Sequence, residues 1–356
     1  MSSVFGNKLK VSIFGQSHSE AIGVVVDGLP AGFRPDLDEV AAFLAWRSPA
    51  GKEGVTARRE PDHFEIVSRL FDGACCGAPL CAMIRNEDTR SGDYEQMRRT
   101  PRPSHADYPA HVKYGGFEDY RGGGHFSGRL TAPLCFAGAL AVQLLAEMGV
   151  DICARVKSIG NAYDTYIDPA KVDAAAFAAI RAGDFPTLGD GAKMKKEIAD
   201  AAADSDSVGG QVECFVLNLP VGVGEPMFDS IESRISAAVF AVPAVKGVEF
   251  GEGFALTGLR ASEANDPWEL APDGSVRASK NSNGGALGGL STGMPLVFTA
   301  AFKPTPTVAL PQRTVDLEAG EEANVTFGGR HDPCVVVRAV PCVESAAALA
   351  ILDLML

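Results

Sequence analysis

The chain has 356 residues, 46% of them hydrophobic, enough for a sizeable core and within reach of one large α/β or α+β domain. A formal net charge of −13 argues against nucleic acid or an anionic membrane as partner, so arginines gathered in a few polar runs point to a specific small anion. Eight cysteines without a C-x-x-C pair, most in apolar surroundings, read as buried free thiols in a reducing cytoplasm.

The start, Met1–Lys8, has no signal-peptide core. Lys8–Phe14 and Ala21–Asp27, rich in Val and Ile, read as strands flanking a polar tip, Gly15-Gln16-Ser17-His18-Ser19. Asp36–Arg47 reads as a helix, with Asp36 as its cap and Glu39 completing a capping box. A polar loop over 48–62 follows, then strands at His63–Phe71 and Pro79–Ile84. Residues 85–129 are rich in Arg, Asp, Gly and Tyr and show little periodicity. Tyr94, Tyr108, Tyr114, Phe117 and Tyr120 argue for an ordered, functional loop there rather than disorder.

Thr131–Met148 reads as a helix, with Pro133 in its first turn and Gly149 at its C-terminal cap. Its apolar stretch, Leu130–Leu145, is too short and too interrupted to span a bilayer. Asp173–Arg181 and Ala192–Asp204 read as exposed helices, Gln211–Leu217 as a strand, Asp229 to about Val242 as a helix, and Val335–Val337 as a strand-like run.

A faint internal repeat runs through this pattern. Val24–Gly32 leads into the helix at Asp36, and Val216–Gly222 leads into the helix at Asp229. Each half later carries a strand opening Gly-x-Pro-Leu, at Gly77–Leu80 and Gly293–Leu296, and ends in an Ala/Leu-rich helix, at 131–148 and 342–356. Unequal spacing excludes a solenoid. Two related β-α-β layers sharing one core, in a single domain over 1–356 with no linker, is the reading.

Chemistry-bearing residues gather in five runs. Gly122–Arg129 precedes the helix at Thr131, where free N–H groups and the positive dipole end face an anion, with Ser127 and Arg129 as further donors. This is not a Walker A loop, and no G-x-G-x-x-G occurs, so a Rossmann dinucleotide site is unsupported. His18 at the first tip and His105, between Ser104 and Asp107, are candidate proton-transfer groups. Six histidines without ligand spacing speak against a metal site. Arg330 can hold a phosphate or carboxylate, and Asp332 can act as a base or orient one. Lys303-Pro304-Thr305-Pro306-Thr307 can line a cofactor. Taken singly, each run is equally compatible with an ordinary polar turn.

Taken in order, these runs resemble the chorismate synthase family across nearly the whole chain. The segments that carry the resemblance are Phe14–His18, Val26–Pro30, Arg58–Asp62, Arg102–Asp107, Lys113–Gly115, Asp119–Gly124, Ala244–Glu249, Gly284–Gly289, Lys303–Thr305 and Gly329–Cys334. The resemblance implies an α+β fold, a β-α-β sandwich with an internal pseudo-twofold repeat, assembled as a homotetramer. It implies conversion of 5-enolpyruvylshikimate-3-phosphate to chorismate by anti 1,4-elimination of phosphate, with reduced FMN (FMNH2) required and no net redox change.

By the same resemblance Ser17, Arg47, Arg102, Ser127, Arg129 and Arg330 meet the substrate. His18 serves the departing phosphate, His105 protonates the reduced flavin, and Asp332 takes a proton from it. The cofactor lies against His125, Phe126, Ser127, Pro243, Ala244, Gly288, Lys303, Pro304, Thr305, Pro306, Thr307 and Arg330. A short chain of this kind relies on an external flavin reductase rather than on its own use of NADPH.

Departures from the family pattern are Gln16 and Ser19 around His18, Ser104 before His105, Glu53, and His125-Phe126 where Arg-Ser is common. The loss of positive charge at 53 and 125 leaves open a non-catalytic flavin-binding paralogue. A flavin-dependent oxidoreductase drawing on a nicotinamide is the other alternative.

Overall fold

A computed structural model describes residues 3–49, 62–68, 70–87, 95–183, 185–327 and 332–356. Two five-stranded antiparallel sheets enclose a layer of helices. The first sheet, in the order β1-β2-β3-β5-β4, comprises β1 (Val4–Phe5), β2 (Lys10–Gly15), β3 (Ala21–Asp27), β4 (Phe64–Ile66) and β5 (Leu80–Arg85). The second holds β6 (Asp151–Ile159), β7 (Ala162–Tyr163), β8 (Gly210–Leu217) and β9 (Val245–Phe250). Two small ribbons follow, β10 (Trp268–Leu270) with β11 (Val276–Ala278) and β12 (Ala286–Leu287) with β13 (Leu290–Ser291). Then β14 (Leu296–Phe302) completes the second sheet in the order β7-β6-β8-β14-β9. A last ribbon pairs β15 (Gln312–Asp316) with β16 (Glu321–Val325).

The helices are α1 (Leu37–Arg47), α2 (Glu95–Arg99), α3 (Asp107–Tyr114), α4 (Thr131–Glu147), α5 (Ala174–Ala182), α6 (Ala192–Ala203), α7 (Ile231–Val239), α8 (Ala261–Ala264) and α9 (Val336–Met355). Four of them, α1, α4, α7 and α9, form the middle layer and share one apolar core with both sheets. The repeat is explicit. In chain order and in sheet order β2, β3, α1, β4, β5 and α4 correspond to β6, β8, α7, β9, β14 and α9.

Burial explains the strand patterns. Alternation in β5 puts Leu80, Ala82 and Ile84 inward and leaves the other face less covered. The strands β6, β8 and β14 are buried almost throughout, because α5 covers part of their outer face with Phe177 and Ile180 against Phe215 and Val297.

Several expectations need correction. Val335–Val337 opens α9 rather than forming a strand. Three valines favour a strand locally, but α9 is apolar on nearly all sides and lies between two sheets, where burial outweighs intrinsic preference. The 85–129 segment is not one loop; it holds α2, α3 and 3-10 turns at Arg121–Phe126 and Gly128–Leu130. The expected strand at His63–Phe71 shrinks to β4 and a single bridge between Phe71 and Ala74. Asp36 caps α1 through the N–H groups of Asp38 and Glu39, but Gln143, not Glu39, accepts from the Asp36 N–H. Both α5 and α6 bury one face, through Phe177, Ile180, Met194 and Ile198.

By length and composition Gly128–Glu147 is apolar enough to cross a membrane, contrary to the sequence reading. In the fold 72% of that window is buried, and α4 runs as a core helix against α9. The two helices cross closely at Gly138, where a Cβ would come within 2.2 Å of the Ser345 side chain.

Candidate active site

The repeat brings four helix ends together. The C-terminus of α1 and the segment after α7 meet the N-termini of α4 and α9 around a cleft of ≈ 550 Å3. That is a size suited to small-molecule ligands, which take roughly 300–1,000 Å3. The first half contributes Arg47, Arg102, His105, Gly122, His125–Arg129 and Thr131; the second contributes Ala241–Ala244, Lys303, Thr305–Thr307, Asp332, Val335 and Arg338. Two helix N-termini at one cleft favour negative charge through their free N–H groups and aligned dipoles.

Two arginines form the floor. Arg47 and Arg129, both buried, grip opposite oxygens of Asp62, and Arg47 Nε also donates to Thr131 Oγ1 at 2.9 Å. Arg129 Nε donates to Asn86 Oδ1 at 3.1 Å. Burial pushes the Asp62 carboxyl pKa up, but the two guanidiniums more than reverse this and hold it below the usual carboxylate range. Asp62 has a left-handed backbone, φ 55°, which turns its carboxylate between the arginines. Among the described residues the Asp62 carboxylate thus orders two guanidiniums at once.

A second constellation holds His105. Arg102 donates to Asp107 twice, Nε to Oδ2 and Nη2 to Oδ1, both at 2.8 Å. His105 Nδ1 donates to Asp107 Oδ1 at 2.6 Å. Asp107 starts α3, and its carboxyl lies well below the usual range: burial raises it, while the bonds from Arg102 and His105 lower it further. Because Nδ1 carries its proton toward Asp107, Nε2 is the ring nitrogen left for other chemistry. Arg102 lines the cleft, but its fork is committed to Asp107.

A glycine triplet separates this constellation from His18. A Cβ at Gly122, φ 59°, would lie 2.3 Å from His18 Cε1 and 2.7 Å from Ser17 Oγ. A Cβ at Gly123 would meet the His105 ring at 3.1 Å. The Gly122-Gly123 backbone therefore runs between the two histidines, and only glycine allows both rings so close. Ser17 is fully buried, and its Oγ has no hydrogen-bond partner among the described residues. His125 lines the cleft with both nitrogens engaged: Nδ1 donates to Gly15 O at 2.8 Å and Nε2 accepts from Ser3 Oγ at 2.7 Å. Its partner in the run, Phe126, is half exposed beside Tyr114.

Across the cleft lie Pro243, Ala244, Lys303, Thr305, Pro306 and Thr307. Lys303 Nζ donates to Ser104 O at 2.5 Å and bridges the two halves; burial, then the charge of Lys246, lowers its pKa. Thr305 Oγ1 is buried without a hydrogen-bond partner among the described residues. Pro304 does not line the cleft and packs at Gly209. Gly288 also lies away from it, on the β12–β13 turn, beside which Gly289 O accepts from the first N–H of α7. Arg330 is outside the described residues, as are Glu53, 58–61 and 329–331.

Sequence reasoning missed Arg338. Its Nη1 donates to Asp332 Oδ2 at 2.5 Å, and its Nε donates to the Arg47 carbonyl at 3.3 Å. The misreading of Val335–Val337 hid it: α9 starts at Val336, so Arg338 lies in its first turn close to the preceding Asp332, whereas a strand would carry it away. Asp62 and Asp107 stood in the quoted runs, but nothing in their spacing showed that each would clamp an arginine in the folded chain.

A β-α-β sandwich with an arginine-floored cleft flanked by two histidines defines an enzyme-like site for a small polyanion. Comparison with known proteins makes this specific. Residues 9–356 match the chorismate synthase family. The chorismate synthase of Korarchaeum cryptofilum is 45% identical over 352 residues, covering 98% of this chain and 96% of that protein. That of Dehalococcoides mccartyi strain BAV1 is 43% identical over 356 residues, covering 100% and 97%. A crystal structure of chorismate synthase superimposes with a TM-score of 0.78 at 24% identity, over 98% of this chain and 92% of that one, which supports the fold. The chain belongs to the chorismate synthase family of enzymes.

Proposed function

We propose that the protein converts 5-enolpyruvylshikimate-3-phosphate to chorismate by 1,4-elimination of phosphate, as a carbon–oxygen lyase that uses reduced FMN. The observation that carries this reading is the cleft itself. Buried Arg47 and Arg129 meet around Asp62 at the floor, with His105, Gly122, which covers His18, and two helix N-termini beside them. A substrate bearing one phosphate and two carboxylates matches that charge.

One observation fits a second, phosphate-bearing ligand. Thr305 lines the cleft, and its hydroxyl is buried without a hydrogen-bond partner among the described residues. Such groups normally find one, and a ligand oxygen supplies it. His125–Ser127, Pro243, Ala244, Lys303 and Thr305–Thr307 would hold the flavin. When bound, reduced FMN would supply electron density for cleavage of the C–O bond without net redox change.

The chain's own groups do the rest. Arg47 and Arg129 orient the anionic substrate and stabilise the charge that gathers on the leaving phosphate. His18, beside Ser17 and under Gly122, hydrogen-bonds the departing phosphate. His105 exchanges its proton with the ligand through Nε2, since Nδ1 is engaged with Asp107. Asp332, gripped by Arg338, accepts a proton. Burial of these groups keeps water away and strengthens each charge interaction.

The same reading extends to the protein's setting. External flavin reductase supplies FMNH2. The chain assembles as a homotetramer, supported by large apolar side chains left exposed between 221 and 290, among them Met227, Phe228, Phe254 and Leu270. It works in the cytoplasm, supported by eight free cysteines. Anaerobic mixing of protein, substrate and FMN tests the core claim: chorismate absorbance rises with reduced FMN and not with oxidised FMN. Product with oxidised FMN, or none with either, contradicts it.

A further inference from the structure

Beneath the cleft, two cysteines from corresponding helices of the repeat face each other. Cys135 of α4 and Cys342 of α9 have their sulfurs 3.8 Å apart. Cys342 lines the cleft floor, while Cys135 is wholly buried behind it. One turn further along both helices is the close crossing of Gly138 on Ser345, which holds the two backbones near each other. A disulfide needs sulfurs about 2.05 Å apart, so from 3.8 Å the two sulfurs have less than about 2 Å to close.

The surroundings differentiate the two sulfurs. Cys342 sits near the guanidiniums of Arg47 and Arg338. The hydrogen bond with Cys135, then Arg47, lowers its pKa against the effect of burial. Cys135 is pushed up, by burial first and then by Cys342. Reactive thiols sit in electropositive sites beside a resolving partner, and Cys342, though only 3% exposed, borders the cleft through which a small peroxide can reach it. None of the other cysteines, Cys75, Cys76, Cys81, Cys153, Cys214 and Cys334, has a sulfur partner at hydrogen-bond range among the described residues.

We propose that Cys342 and Cys135 are a peroxide-oxidisable dithiol whose closure switches the cleft off. The Cys342 thiolate attacks a hydroperoxide and breaks its O–O bond, giving Cys342 sulfenic acid and releasing hydroxide (or the alkoxide of an organic peroxide). The Cys135 thiol then attacks that sulfur. The S–S bond forms, and the sulfenic oxygen leaves as water with the thiol proton. The two thiols lose two electrons and the peroxide gains them. Closure draws the start of α9 toward α4, displacing Arg338 and Ala339, which line the cleft one turn before Cys342.

The switching half rests on the lyase reading; the dithiol half does not. The test treats the full chain with hydrogen peroxide, then maps disulfides by non-reducing peptide mass spectrometry and measures chorismate formation before and after dithiothreitol. The expected result is a Cys135–Cys342 cross-link formed before exposed Cys76 is oxidised, with turnover lowered about tenfold, since a ~1 Å misplacement can cost up to ~10²-fold. Dithiothreitol restores it. Cys135→Ala, or Cys135→Ser if the first variant folds poorly, keeps turnover when reduced but accumulates Cys342 sulfinic acid that dithiothreitol does not reverse. No cross-link, or Cys76 oxidised first, overturns the dithiol. A cross-link with unchanged turnover overturns the switch. Reduced wild-type protein that makes no chorismate overturns the lyase reading instead, and the peptide map still decides the dithiol.

Discussion

His105 Nδ1 lies 2.6 Å from Asp107 Oδ1, and that carboxylate also takes both arms of Arg102. Asp107 therefore fixes the tautomer and direction of His105 and is at the same time the counter-charge of Arg102. Asp107→Asn should lower turnover by about 10²-fold, within the usual range for a mispositioned acid–base group. Substrate affinity, read by calorimetry, should change far less. Equal losses in both would mean that Asp107 serves binding rather than His105.

Asp62 is the shared counter-charge of Arg47 and Arg129. Asp62→Asn keeps the size and tolerates the left-handed backbone but leaves two buried guanidiniums facing an amide. Breaking a buried pair of this kind costs ~3–5 kcal/mol, measurable by urea unfolding. The carboxyl is lowered in the fold, so its stabilisation is present above its unfolded pKa near 3.8 and is lost as pH falls through the folded value. The variant should flatten the acid limb of the stability curve; an unchanged limb counts against the role given to Asp62.

Gly122→Ala places a Cβ 2.3 Å from the His18 ring at a φ of 59°. Strain of roughly 1–3 kcal/mol and displacement of His18 should follow, with turnover falling steeply. Gly258→Ala, with no atom within 4 Å of its Cβ, is the matched control and should behave as wild type. If both variants turn over alike, the triplet does not position His18.

Glu344 is buried on α9, where Arg181 donates at 3.1 Å and the Ala154 N–H at 3.0 Å. Burial pushes its pKa from 4.5 up to about 7, against the smaller opposing effect of Arg181. A raised carboxyl stabilises the fold fully below 4.5, and that stability is lost as pH rises through about 7. Denaturation midpoints should fall across that window, and Glu344→Gln should remove the slope. A wild-type profile without this slope would show that Glu344 stays ionised in the fold.

Much of this was legible in the sequence, for physical reasons. Ala21–Asp27 has one strand face to bury, and Asp36 caps α1 as its side chain dictates. Both the Gly-x-Pro-Leu strands and the two apolar helices fell in corresponding places of the sandwich. What was hidden depended on contacts distant in sequence. Val335–Val337 reads as a strand until a second sheet covers it, and Arg338 is visible as a neighbour of Asp332 only once α9 is a helix. The partners of Arg47 and Arg102 could not be told from solvent or ligand, because an arginine that meets a substrate and one that meets a buried aspartate look alike in sequence.

The most direct measurement is the ratio of products to flavin. Protein, chemically reduced FMN and 5-enolpyruvylshikimate-3-phosphate are mixed without oxygen, and phosphate release and chorismate absorbance are followed together. A lyase without net redox change gives equal phosphate and chorismate, with many turnovers for each flavin supplied. Product that stops at one per flavin, with the flavin left oxidised, would show net electron transfer and contradict the elimination. Reduced flavin that binds and yields no product would mark a protein that keeps the cleft of the family without its chemistry.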